Sequence, residues 1–92
     1  MFTIPRPNVV SSDEGFSVEV LGRTGVRYQD QSGTVNLDGE MLAGPAGFMI
    51  YRDSMLEIGN GDGAELGDVR KNLIIENIRR AFAYRGFEIE VL

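Results

Sequence analysis

The first clear period in the chain is Phe16-Ser17-Val18-Glu19-Val20, where apolar and polar positions alternate. Alternation sends successive side chains to opposite faces, so this stretch predicts a half-buried strand. Leu21-Gly22-Arg23-Thr24-Gly25 follows, with glycines where a tight reversal needs them. Val26, Tyr28 and Asp30 then alternate with Arg27 and Gln29. After a turn at Gln31-Ser32-Gly33, Val35 and Leu37 alternate with Thr34 and Asn36. Asp38-Gly39 is a strong turn dipeptide and reads as the end of that strand. Strands this close, joined by short glycine turns, predict an antiparallel meander. Phe48-Met49-Ile50-Tyr51 comes after the break Gly44-Pro45-Ala46-Gly47 and is apolar on both faces, the pattern of a central strand covered on each side. Arg52-Asp53-Ser54 reads as a bulge or turn. Met55 to Ile58 reads as a further short strand, with Leu56 and Ile58 on one face. Residues 1–15 read as a short arm. Pro5 and Pro7 bias Arg6 towards extended backbone, and Ser11-Ser12-Asp13-Glu14-Gly15 is turn material.

From residue 68 the period changes. Ile74, Ile75, Ile78, Ala81 and Phe82 fall on one arc of a helical wheel, which predicts an amphipathic helix over 68–85. Asp68 suits the N-cap, Glu76 and Arg80 are an i,i+4 pair in the favourable order, and Gly86 suits a left-handed stop. Leu73 and Tyr84 lie on the other side of the wheel, as edge packing or as a contact surface. Phe87, Ile89 and Val91 alternate with Glu88 and Glu90, predicting a last strand over 87–91. The fold expected is a single α+β domain: an antiparallel meander over 16–58, one long helix packed on one face, and a C-terminal strand. Burying the five apolar side chains of the helix contributes on the order of 10 kcal/mol before chain entropy is subtracted.

Composition narrows the function. The 92 residues include no His, no Cys and no Trp. Disulfides, thiolate or imidazole metal ligands and an imidazole base are therefore excluded. Asp and Glu number 14 against 9 Lys and Arg, for a formal net charge of −5. Such a chain repels a phosphate backbone on average, so general nucleic-acid binding is disfavoured. No apolar run approaches the length of a membrane span, and Met1 to Asn8 lacks the plan of a secretory signal. The expectation is a cytoplasmic protein that needs neither cofactor nor metal.

Three groups of residues invite a chemical reading. Asn60, Asp62, Glu65 and Asp68 are oxygen ligands at short spacing, but the order fails the calcium-loop pattern and fits a turn plus helix cap as well as a weak cation site. Tyr51-Arg52-Asp53-Ser54 sets polar groups beside an apolar strand. A serine nucleophile there has no histidine base. The stretch reads either as a strand end where Asp53 or Ser54 caps backbone amides, or as a recognition surface, since Tyr and Arg are favoured interface anchors. The scattered carboxylates, Glu40 and Glu57 among them, show no spacing that pairs them for acid–base work, although a hydrolase using Glu40 or Asp53 stays open. An acidic surface also steers association with a basic partner.

Taken in order, Gly39-Glu40-Met41-Leu42, Gly47-Phe48-Met49-Ile50-Tyr51, Asp53-Ser54-Met55, Ile74-Ile75-Glu76-Asn77-Ile78 and Gly86-Phe87-Glu88-Ile89-Glu90 resemble the immunity protein 74 family of bacterial polymorphic toxin systems. The resemblance runs over roughly 16–91. The chain departs from the family at Glu57 to Gly63, where relatives often carry a Trp and prolines, so if that segment touches a toxin the toxin class does not transfer. The resemblance implies a protein that neutralises a co-produced toxin by binding it. The candidate partner-binding residues are Glu40, Tyr51, Arg52, Asp53, Ser54 and Glu57, and a basic toxin would suit the charge. The competing expectation is a self-associating module, a homodimer for example, built on the exposed sheet face around Met49 and Tyr51.

Overall fold

Tight turns make each of the first strands pair with its sequence neighbour. The computed structural model describes residues 1–22, 24–41, 47–58 and 67–92. Strands β1 (Phe2–Arg6), β2 (Val9–Ser12), β3 (Ser17–Val20), β4 (Gly25–Asp30) and β5 (Gly33–Met41) form an antiparallel meander. They are followed by β6 (Phe48–Ile50), β7 (Leu56–Ile58), the helix α1 (Asp68–Tyr84) and β8 (Ile89–Val91). Together the strands make an 8-stranded sheet, ordered β1-β2-β3-β4-β5-β6-β8, with β7 also paired to β5. The α+β architecture expected from the sequence is the one found.

The long strand β5 serves two neighbours on one edge. Its Thr34 to Asn36 pair with β7, and its Gly39 to Met41 pair with β6. β8 lies parallel to β6, with Phe48 opposite Ile89 and Ile50 opposite Val91. A parallel pair needs a long crossover, and the chain between these strands, which contains α1, supplies it.

One face of the sheet carries the core. Val10, Val18, Tyr28 and Val35 sit directly opposite one another across four strands. Val26 faces Leu37 in the next row. The helix lays Ile74, Ile75, Ile78, Ala81 and Phe82 on this face, all buried, and the Phe82 ring meets Phe48 at 5.5 Å. The helix ends as its sequence requires. Gly86 has φ 86°, its N–H donates to the Ala83 carbonyl, and the Phe87 N–H reaches back to Phe82 at 2.9 Å. This paired capping satisfies carbonyls the last turn would leave open.

Several local expectations are corrected. The arm is a hairpin, β1–β2, that extends the sheet. Val9 and Val10 are buried, and the Phe2 ring packs on Phe16 at 5.9 Å and Tyr84 at 5.4 Å. Pro5 sits on the outermost strand, where a missing N–H costs no ladder bond. Asp68 does not cap the helix. Gly67 is the N-cap, without a side-chain bond, and Asp68 opens the first turn. Arg80 turns from Glu76 to Glu14, while Glu76 pairs with Arg79 at 3.5 Å. The last strand starts at Ile89, because Phe87 is taken up by the helix stop. Phe48 and Ile50 are buried under the helix, whereas Met49 on the opposite side is only partly covered.

Asp38-Gly39 is no turn, since β5 runs through it. Gly39 is there for space. A Cβ at this position would stand 2.5 Å from the Met49 carbonyl oxygen and against the Phe48 ring. Gly39→Ala is therefore expected to cost about 1–3 kcal/mol through overpacking. A chemical-denaturation midpoint equal to that of the unchanged protein would contradict the packing described.

Candidate partner-binding surface

Between β6 and β7 the chain makes a 3-10 turn, Arg52–Ser54, which with its N-cap Tyr51 holds the contiguous part of the sequence-predicted site. The Ser54 hydroxyl donates to the Tyr51 carbonyl at 2.6 Å and accepts the Asp38 N–H at 2.7 Å. The Tyr51 N–H returns to the Asp38 carbonyl at 3.0 Å, and the Arg52 N–H donates to the Leu92 carbonyl at 2.8 Å. The Arg52 guanidinium reaches Asp68 at 3.3 Å and Asn72 at 3.0 Å on the helix. Lys71, 3% exposed, reaches Asp53 at 3.4 Å. Met55, fully buried, anchors the exit of the turn. The polar residues after the apolar strand thus tie β5, the C-terminus and the first helical turn together.

Glu40 and Glu57 are not brought into this cluster, and they sit on opposite faces. Glu57 lies opposite Val35, hence on the helix side. Its neighbours Leu56 and Ile58 oppose Asn36 and Thr34 and are exposed on the outer side. Glu40 lies opposite Met49 on that outer side. Asn60, Asp62 and Glu65 of the acidic segment lie outside the described residues.

A network not foreseen from the sequence closes the helix side. Arg70 grips Asp30 with two bonds, 2.6 and 2.8 Å. The Tyr28 hydroxyl donates to Asp30 at 2.9 Å and accepts from the Asn77 amide at 2.9 Å. The Arg70 guanidinium lies 5.9 Å from the Tyr28 ring centre. Together with Glu14 and Gln31 these groups line a shallow cleft of about 250 Å³. The signal available in the sequence was slight. Arg70 and Asn77 are two turns apart on the face that carries Ile74, and Asp30 begins a turn whose Ser32 N–H it caps at 2.8 Å.

The network shifts both acids. The Arg70 bonds, aided by Tyr28 and the Ser32 amide, outweigh burial and hold the Asp30 carboxyl down at about 2. Burial drives the Tyr28 hydroxyl up to about 12, against the opposing Asn77 bond. A separate groove, apolar and about 390 Å³, lies at the other end of the helix, lined by Val10, Val18, Val20, Phe48, Phe82 and Phe87 among others.

The family model described as Immunity protein 74 matches residues 17–92. The chain belongs to the immunity protein 74 family. No curated protein and no solved structure matches it. The match begins at the first residue of β3, so the β1–β2 hairpin of this immunity protein lies outside the matched region. No helix among the described residues is long and apolar enough to cross a membrane.

For this family member the Asp30 network sets an acid limit to stability. The folded carboxyl titrates at about 2 against an ordinary value of 3.8, so its contribution is present above pH 3.8 and is lost as pH falls towards 2. Asp30→Asn should remove about 1–2 kcal/mol at pH 7 and flatten the fall in stability over that acid range. Denaturation curves of both proteins across the range check this. Parallel profiles would show that the carboxylate carries none of the acid sensitivity. Tyr28 acts at the other limit. Its hydroxyl, ordinarily at 10.0 and here at about 12, favours the fold below pH 10 and loses that effect as pH rises to 12.

Proposed function

We propose that this immunity protein protects its host by binding a co-produced toxin in the cytoplasm and blocking it by occupancy, with no reaction of its own. Membership of the immunity protein 74 family over residues 17–92 carries the reading. The physical chemistry is compatible with it. The chain lacks His and Cys. The Tyr51–Ser54 stretch, the part of the sequence nearest to a chemical motif, has its serine hydroxyl and its guanidinium engaged in structural bonds. A binding-only inhibitor needs a rigid scaffold, a complementary surface of about 800 Å² per partner and a few anchoring side chains. Tyr51, Arg52, Asp53, Ser54, Glu40 and Glu57 remain the candidate contact residues proposed for that surface.

Co-expression tests the reading. The product of the neighbouring reading frame should arrest growth when produced alone and lose that effect when this chain is produced with it. A neighbour that is harmless, or that still kills in the presence of this chain, contradicts the proposal.

Self-association through Met49 and Tyr51 is the competing reading. A two-fold contact centred on Met49 would set Glu40 and Glu90, which flank it in the sheet, against their own copies. Light scattering at low salt should therefore give one mass, that of a monomer, at every concentration tested. A mass that rises with concentration would favour the assembly reading.

A further inference from the structure

The charges of this protein are sorted by face. Among the described residues, Asp13, Glu14, Glu19, Asp30, Asp53, Asp68 and Glu76 each pair with a cation. Most of these pairs lie along the helix or between the helix and the sheet rim. The exception on the outer face is Glu19, held by Arg6 at 3.8 Å and Arg27 at 3.7 Å.

The outer face of β5–β6–β8 is different. Glu40, Met49 and Glu90 form one row across three strands, with Glu40 opposite Met49 and Met49 opposite Glu90. Asp38 is two residues before Glu40 on β5, and Glu88 two residues before Glu90, so both fall on the same side. All four carboxylates belong to exposed residues, and none is in an ion pair among the described residues. Met49 lies in their midst, half-buried and apolar.

We infer that the outer face of β5–β6–β8, with Met49 at its centre and Asp38, Glu40, Glu88 and Glu90 around it, is the docking surface for a lysine- or arginine-rich face of a partner protein. The inference rests on the binding function proposed above and assigns it a place. The choice of occupant follows from charge. Like-charged carboxylates around one apolar side chain oppose a second copy and oppose phosphate, while cations brought to them from a partner meet carboxylates that pair with no cation among the described residues. An apolar centre inside a charged border is also the arrangement in which a few central contacts carry affinity and the border sets rate and specificity. Of the residues proposed from the sequence, Glu40 lies on this face.

The test uses the product of the neighbouring reading frame as probe and measures association rate and Kd at low and high salt. Three full-length proteins are compared: the unchanged chain, an outer-face variant carrying Asp38→Asn, Glu40→Gln and Glu90→Gln, and a control carrying Asp13→Asn, Asp68→Asn and Glu76→Gln. Both variants lose the same formal charge, and melting curves establish that each is folded. The outer-face variant should associate at least about tenfold more slowly at low salt, with a smaller difference at high salt. The control should change by about twofold or less. Equal losses in the two variants would mean that only bulk charge matters, and no loss in the outer-face variant would place the contact elsewhere. Either result overturns the inference and leaves the binding function standing. If the unchanged chain fails to bind or neutralise the probe, the proposed function itself falls, and this assignment with it.

Discussion

The helix α1 covers one face of the sheet, and the rest of the molecule is arranged by that asymmetry. Burial of Ile74, Ile75, Ile78, Ala81 and Phe82 fixes which side of every strand points inward. Because side chains alternate, each residue turned inward sends its neighbours outward. Val18 and Val26 go in, so Glu19 and Arg27 go out. Phe48 and Ile50 go in, so Met49 goes out. The same packing decides the fate of the arginines. Those on or beside the helix, Arg70, Arg79 and Arg80, meet carboxylates at its border and are held there.

The border is not energetically uniform. Asp30, Arg70, Tyr28 and Asn77 form a partly buried, mutually satisfied set, the situation in which ionic bonds retain value. Pairs such as Arg79–Glu76 are exposed and contribute little. The Arg52–Ser54 turn works differently. Its Ser54 hydroxyl satisfies a backbone amide of β5, while Arg52 and Asp53 bond side chains at the helix start, so truncating Ser54 would leave the Asp38 amide without its partner. These residues look like a chemical motif in one dimension and act as a joint in three.

Much of the fold was legible in the sequence because it is carried by periods and caps. The alternation in 16–20 and 26–30, the isoleucine stripe, and Gly86 as the helix stop each follow from local geometry. The misreadings share a cause, which is information held by distant neighbours. Asp38-Gly39 has the local chemistry of a turn, yet the glycine is required by Phe48 and the Met49 carbonyl across the strand pair. The two prolines of the first residues suggested an arm, but Val9, Val10 and Phe2 supply the apolar area that fastens a hairpin. Leu56 and Ile58 do share one face, as their alternation predicts, but only the register against β5 decides that it is the outer one. The candidate contact residues were legible as a group only where they are contiguous, at 51–54. Glu40 and Glu57 part because each takes its side from its partner strand. The Asp30–Arg70 pair spans 40 positions and leaves only a slight local trace.

In the division of labour proposed, the helix face holds the protein together and the open face of β5–β6–β8 meets the partner. Hydrogen-exchange footprinting of the protein, alone and bound to the product of the neighbouring reading frame, tests this most directly. Slowed exchange should concentrate in 38–41, 48–51 and 88–92. Protection confined to the exposed side of 68–84 and the cleft near Glu14 and Gln31, with the three strands unchanged, would contradict it.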